Sequence, residues 1–182
     1  MPALNPFLLT GLNNFEAYHL LIVSVGLVGD ISRSIEHQIV PYCPDIFTVL
    51  IRALQNSELH RSVKPHLLSC FGDLAMSINA AYEPYLQISL MMLLQASQMS
   101  APSGDEGLIE YINELREAIM EAYTGIVNGL CDGNLVDRLA PYIDAVMNFL
   151  ETVAGDINKT EALLEKTIGL LGCVQTNILF LI

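Results

Sequence analysis

Four glutamates recur every three or four residues in one predicted helix. On a helix that turns 100° per residue they fall within about 60° of one another, and apolar side chains gather on the opposite side. Like charges at this spacing each destabilise a helix by ~0.2–0.5 kcal/mol, and Arg116 has no carboxylate at i±3 or i±4 to offset them. A solvated face is the ordinary explanation, but a single-signed row also suits a basic ligand. We call these residues the acidic ridge: Glu110, Glu114, Glu117 and Glu121.

One pair of residues resembles a fragment of a catalytic or metal site. His66 and Cys70 are four residues apart and share a helix face. A metal site needs three or four ligands, and no other His or Cys is positioned by the sequence to complete one. The sequence also contains no nucleophile motif and no Gly-rich phosphate loop. We therefore predict a protein that is not an enzyme, with no catalytic residue, metal or cofactor, and a buried Cys70 beside a surface histidine.

The composition favours a folded, acidic protein. Twenty acidic residues against eight basic ones give a formal charge of −12, which repels nucleic acid and anionic lipid and attracts basic proteins. The four cysteines are far apart and no signal peptide opens the chain, so we expect a reducing, intracellular compartment. The apolar runs Leu20–Gly29 and Thr167–Ile182 fall short of the ~20 residues that a membrane span requires, so no membrane insertion is expected.

A short motif repeats along the chain. Val28-Gly29-Asp30 recurs as Phe71-Gly72-Asp73 after 43 residues, with fainter copies around Gly125 and Gly172. Asp30 and Asp73 have two open interpretations. Both aspartates would meet a basic ligand, or they would bond a neighbouring repeat or their own helix, as Asp30 would with Arg33.

The periodicity predicts four antiparallel helix pairs, each with an A helix that begins near a proline and a longer B helix. A period near 40 residues with two helices per unit is typical of HEAT or armadillo repeats, which stack because one pair cannot bury its apolar face alone. The predicted fold is an all-α HEAT-repeat solenoid with approximate repeats 1–38, 39–80, 81–132 and 133–182. The predicted helices lie within Ala3–Leu12 and at Phe15–Ile35, Pro44–Leu54, Val63–Ile78, Pro84–Ser97, Leu108–Leu130, Ala140–Ala154 and Thr160–Leu179.

Three segments resemble the C-terminal half of the importin-β, or karyopherin-β, family. They are Val25–Asp30, the stretch from Leu59 to Asp73 (LHRSVKP followed by CFGD), and Tyr111–Leu130 (YINELREAIMEAYTGIVNGL). The resemblance covers nearly the whole chain. It implies a superhelix with B helices on the concave face and A helices outside, in one segment of a longer receptor.

The resemblance also implies partners and a location. Family members carry basic import-signal cargo directly or through the importin-β-binding helix of an importin-α-type adaptor, bind FG nucleoporins, and release cargo to Ran-GTP in the full-length receptor. We therefore expect a nuclear import protein in the cytoplasm, the nucleus and the nuclear pore, with cargo on the acidic ridge and on Asp30 and Asp73. Grooves between A helices accept FG phenylalanines in the family, and Tyr82, Tyr85 and Leu86 are our candidates for such a groove.

Two other function classes stay open at this point. A HEAT-repeat scaffold or regulatory subunit, such as a phosphatase scaffold, has the same fold without a transport role. A helical enzyme has little support from the residues. Sequence upstream of this segment separates the first two, because a receptor needs the Ran-binding arch, and a hydrolase assay addresses the third.

The segment Gln98–Gly107 (QMSAPSGDEG) interrupts the third helix pair and is rich in Ser, Gly, Pro and Asp. Such a composition predicts an exposed loop with few apolar groups to anchor it. Limited proteolysis should therefore cut first within this segment. A first cut inside Leu108–Leu130 that leaves the loop intact would show that the assignment is wrong.

Overall fold

The computed structural model describes residues 5–100 and 104–177, which form eight α-helices and no strand. This confirms the all-α prediction. Odd-numbered helices are the A helices and even-numbered helices are the B helices of four successive pairs. Their bounds are α1 Asn5–Leu12, α2 Tyr18–Ile35, α3 Cys43–Gln55, α4 Val63–Ile78, α5 Glu83–Ser97, α6 Glu106–Asp132, α7 Ile143–Gly155 and α8 Glu161–Asn177.

Three helices begin two or three residues from the predicted start, and of these α2 starts at Tyr18 rather than Phe15. Helix α6 starts at Glu106, two residues early, because the Asp105 side chain caps it by accepting the Leu108 N–H at 2.9 Å. Helix α7 starts later than predicted, because Pro141 lies inside a short 3-10 helix rather than in the first turn of an α-helix. The first predicted helix lies within residues 3–12 and the last extends to residue 179. Residues 3 and 179, and residues 101–103 of the predicted loop, lie outside the described residues.

Short 3-10 helices connect each of the first three B helices to the next A helix. They span Glu36–Tyr42, Asn79–Tyr82 and Val136–Tyr142. The chain turns into them at a residue with positive φ, which is 49° at Glu36, 47° at Asn79 and 55° at Asn134. Non-glycine residues seldom adopt such angles, so their recurrence reflects the same change of direction at each junction.

The B helices stack on one another in the order α2, α4, α6 and α8. A Cβ atom built on Gly125 of α6 would lie 2.6 Å from the Cα of Gly72 in α4, and one built on Gly72 would lie 2.9 Å from the Cα of Ala122. Real Cβ atoms do not approach other atoms so closely. The repeated glycine of the sequence motif therefore marks the place where α4 and α6 touch backbone to backbone.

An aromatic cluster shows that the core is continuous from one repeat to the next. The ring of Phe47 in α3 stacks on Phe71 of α4 at 5.9 Å and on Tyr85 of α5 at 3.9 Å. Tyr82 meets Phe47 edge-on at 5.7 Å, from the segment that precedes α5. These offset and edge contacts suit aromatic rings, and they join an A helix to its own B helix and to the next A helix.

By length and composition alone, the helical stretch Tyr18–Gln55 would be able to cross a membrane, with a mean hydropathy of 1.2. In the structure the turn at Glu36 divides it into α2, a 3-10 helix and α3. Helix α2 packs on α1 and α4, and α3 packs on α1 and α4. These contacts bury Leu21, Val25 and Val28 of α2 in the solenoid core, whereas other apolar residues of α2, such as Leu20 and Val23, are exposed.

We expect Gly125→Ala to destabilise the protein by about 1–3 kcal/mol, because the new methyl group would force α4 and α6 apart. Gly26→Ala is the matched control, since Gly26 lies inside α2 and nothing approaches its Cβ position within 4 Å. That change should stabilise the helix by about 0.5–1 kcal/mol. Urea unfolding followed by circular dichroism measures both. An unchanged or higher stability for Gly125→Ala would contradict the backbone contact.

Candidate protein-binding surface

The acidic ridge lies on the free side of α6. This helix packs against α4 and α8, and the apolar side predicted from the sequence faces the core. Glu110, Glu114 and Glu121 are exposed and Glu117 is half-buried. The tertiary contacts of α6 hold the four carboxylates in a row despite their mutual repulsion.

A groove of about 500 Å³ runs beside the first part of the ridge. One wall is α6 and the other is the segment that leads into α8. The side-chain amide of Asn113 donates a hydrogen bond to the Asn158 carbonyl at 2.8 Å, which ties the two walls together. The lining residues are Glu106, Ile109, Glu110, Asn113, Glu114, Glu117, Asn158 and Thr160. Four of these eight side chains are carboxylates, so the groove presents a negative wall to a bound segment.

Lys166 of α8 contacts the other end of the ridge, a contact that no pattern within one helix predicts. Its Nζ bonds to the Glu121 carboxylate and lies 3.5 Å from Glu117 Oε2. Partial burial lowers the pKa of Lys166, but the bonds and charges of Glu121 and Glu117 outweigh it and raise that pKa. Lys166 thus pairs with one half of the ridge, Glu117 and Glu121. The other half, Glu110 and Glu114, forms no ion pair with the described residues.

Arg116 does not neutralise the ridge. Its side chain is only 8% exposed, and its Nη1 donates to Asp156 Oδ2 at 2.6 Å, 40 residues along the chain. The Asn158 N–H and the Arg116 guanidinium together lower the pKa of Asp156. Arg116 therefore anchors the segment between α7 and α8 that forms the second wall of the groove.

Asp30 and Asp73 share one cation. Arg33 Nη2 donates to Asp30 Oδ1 at 2.8 Å within α2, and Arg33 Nη1 donates to Asp73 Oδ1 in α4. These contacts match the structural interpretation of the two aspartates. A role for either one in binding a ligand stays a prediction, since Asp30 is exposed and Asp73 half-buried.

The three residues proposed for an outer groove belong largely to the core. Tyr82 is completely buried, and its hydroxyl donates to Ser89 Oγ at 2.8 Å. Leu86 is 5% exposed, and Tyr85 stacks on Phe47. Burial therefore removes Tyr82 and Leu86 as edges of a surface groove, whereas Tyr85 is half-buried and its role in FG binding stays a prediction. The spacing of apolar residues on a helix shows that they are covered, but it does not show what covers them.

A groove between A helices lies about three turns beyond Tyr85 along α5, and we call it the apolar groove because six of its eleven lining residues are apolar. Its volume is about 410 Å³, and it lies between the ends of α3 and α5, with α4 and α6 beneath. Met99 is 39% exposed at its edge. Its lining residues are Leu54, Gln55, Asn56, Ser57, Lys64, Leu68, Met92, Gln95, Ala96, Met99 and Leu115.

His66 and Cys70 lie in different environments on α4. His66 is exposed and Cys70 is buried, and burial raises the pKa of the Cys70 thiol, which disfavours the reactive thiolate. Within residues 5–100 and 104–177, no group of three His, Cys, Asp or Glu side chains is placed to hold a metal ion.

Comparisons with known proteins identify the family. Residues 1–178 match the family model described as "Importin subunit beta-1-like, TPR repeats". The chain is 41% identical to importin subunit beta-1 of Schizosaccharomyces pombe over 173 residues, and 40% identical to that of Arabidopsis thaliana over 174. Each match covers 94% of this chain and 20% of the relative, so the chain spans about a fifth of the length of these relatives.

Solved structures agree with the sequence relatives. A crystal structure of importin beta from a polyethylene glycol condition has a TM-score of 0.91 at 35% identity, over 96% of this chain and 21% of that one. A Kap95:Nup1 complex gives 0.87 at 31% over 97% and 20%. A Kap95p structure with RanGDP gives 0.88 at 31% over 96% and 20%.

The repeat length also agrees with these structures. A TPR unit has about 34 residues, whereas the glycine motif recurs here after 43, which is in the HEAT range of about 40–47. The family model, the sequence relatives and the solved structures all lead to one conclusion. The chain belongs to the importin subunit beta-1-like family.

Proposed function

We propose that this chain is a segment of a nuclear import receptor that binds basic protein segments along the acidic ridge. The observation that carries the proposal is the groove beside α6, whose wall bears four carboxylates. Basic import signals, or the basic helix of an importin-α-type adaptor, are the expected ligands. Lysines or arginines one helical turn apart would meet the glutamates at the same spacing.

The strength of such binding follows from small contributions added together. A single exposed ion pair contributes ~0–1 kcal/mol, so several are needed for a useful affinity. The formal charge of −12 adds long-range attraction, which increases the association rate at low salt. We therefore infer a moderate affinity that falls as salt rises.

We further propose that the segment takes part in contacts with FG nucleoporins. The structural relatives include Kap95 with Nup1, which supports a nucleoporin partner for this family. In this chain the apolar groove between α3 and α5 would take a phenylalanine side chain. A further relative is Kap95p with RanGDP, and Ran-GTP would act on the full-length receptor. Such a receptor works in the cytoplasm, the nucleus and the pore.

A HEAT-repeat scaffold without a transport role is the alternative. It would use the same helix pairs, and the fold alone does not exclude it. The identity to importin subunit beta-1 from two organisms favours the receptor. Binding of an adaptor's importin-β-binding peptide is the experiment that separates the two, because a scaffold has no reason to bind it.

We expect Glu110→Gln combined with Glu114→Gln to weaken binding of an importin-β-binding peptide about two- to fivefold, through the loss of a total of ~0.5–1 kcal/mol at one or two ion pairs. The dependence of the dissociation constant on salt should also become flatter. Fluorescence anisotropy over a salt series measures both. The matched control is Glu151→Gln with Glu161→Gln, two exposed glutamates that do not line the groove. If the control loses the same affinity, the change in net charge alone explains the effect.

For the second partner, Met99→Glu should weaken binding of an FG-repeat peptide severalfold and leave the basic peptide unaffected, because it places a charge at the edge of the apolar groove. Met91→Glu is the control, since Met91 is 53% exposed nearby on α5 but does not line that groove. Titrations observed by NMR suit such weak binding. Equal effects of the two variants would argue against a groove at this place.

A further inference from the structure

Lys166 differs from the other basic residues in its position on the acidic ridge. Its side chain crosses from α8 to α6 and holds Glu117 and Glu121, which are one helical turn apart. Within the part of the chain that the structure describes, it is the one Lys or Arg that forms an ion pair with the ridge. It stands where the cation of a bound basic ligand would stand.

We propose that Lys166 is an intramolecular competitor of the basic ligand, a displaceable latch that closes the Glu117–Glu121 half of the ridge. The inference rests on the proposed binding of basic segments to the ridge. Glu110 and Glu114 form the open half, which a ligand meets first. The second half becomes available only when the Lys166 ammonium leaves its two carboxylates.

The geometry allows Lys166 to leave. Its side chain is 33% exposed, and within the described residues the carboxylates of Glu117 and Glu121 are the polar partners of its Nζ. The four-carbon stem is flexible, and the ammonium is readily solvated. When a cation of the ligand replaces the Lys166 ammonium, one set of ion pairs is exchanged for a similar set. The Glu117–Glu121 half therefore adds little to the affinity for a basic ligand.

Other contacts hold the junction between α6 and α8, so Lys166 is not needed to keep it closed. The buried Arg116–Asp156 pair and the Asn113–Asn158 hydrogen bond join the same two repeats. Thr167, the residue after Lys166, is buried, and its hydroxyl contacts the Met120 sulfur at 3.5 Å. If Lys166 had a purely structural role, the stability of the junction between α6 and α8 would depend on its ion pairs. A displaceable latch would leave that stability nearly unchanged when it is removed.

The test compares Lys166→Gln, Lys166→Arg and Arg138→Gln in the whole chain. Arg138→Gln is the matched control, because it removes the same charge and breaks an ion pair with Glu83 of α5, an A helix. The probe is a fluorescent 20-residue helical peptide with Lys or Arg at every third or fourth position, titrated at several salt concentrations. Thermal unfolding of each variant shows that it is folded.

We expect Lys166→Gln to bind this peptide about three- to tenfold more tightly than the original chain and with a steeper salt dependence, because two more carboxylates become free. Lys166→Arg keeps the cation and should bind like the original chain. Arg138→Gln should change the affinity by less than about twofold, through net charge alone. The melting temperature of Lys166→Gln should stay within a few degrees of the original.

The outcomes separate the latch from the binding surface. If Lys166→Gln binds no more tightly than Arg138→Gln while Glu110→Gln with Glu114→Gln weakens binding, the latch is overturned and the surface stands. If only Lys166→Gln binds more tightly, the latch is supported and the ligand lies on the Glu117–Glu121 half. If neither change affects binding, or the chain does not bind the peptide at all, both proposals fail. A large fall in melting temperature for Lys166→Gln would identify a structural clamp instead.

Discussion

The backbone contact between α4 and α6 controls the position of the acidic ridge. Because Gly72 and Gly125 lack a Cβ, the two B helices approach until their main chains touch. That approach fixes the rotation of α6 about its own axis, since only one side of the helix has the small residues that allow it. The acidic ridge lies about a quarter turn from this contact, and a bulkier residue at either glycine would turn or displace the ridge.

Apolar packing explains how α6 tolerates a row of like charges. Neighbouring glutamates at i, i+3 or i+4 each destabilise an isolated helix by ~0.2–0.5 kcal/mol. Burying a leucine- or isoleucine-sized side chain contributes about 1.5–3 kcal/mol, and α6 buries Ile112, Leu115 and Ile119 on its other side. Tertiary packing therefore outweighs the repulsion, and the charge pattern is free to serve binding.

Local sequence patterns predict the helices well, but they do not identify which residues of neighbouring repeats are in contact. Proline positions and apolar periodicity located the helix pairs, and the glycine motif located the repeat, because those signals act within a few residues. The sequence around Arg116 shows no partner for it, because its carboxylate, Asp156, is 40 residues away. Lys166 was missed for the same reason, and so was the burial of Tyr82 by an aromatic cluster that three helices build. A pattern within one helix cannot identify a neighbour that the fold brings in from the next repeat.

These long-range contacts also account for the sign of the surface. Of the eight Lys and Arg residues, Arg33 and Lys166 link one B helix to the next, and Arg116 links a B helix to the segment before α8. The separations of 40, 45 and 40 residues follow the repeat length, so each cation meets a carboxylate of the adjacent repeat. Basic side chains held within the stack are less available to neutralise the exposed acidic residues. The stacking of the repeats thus leaves the free side of α6 negative, and among the described residues Lys166 is the Lys or Arg that pairs with the ridge, at the place where the proposed latch would act.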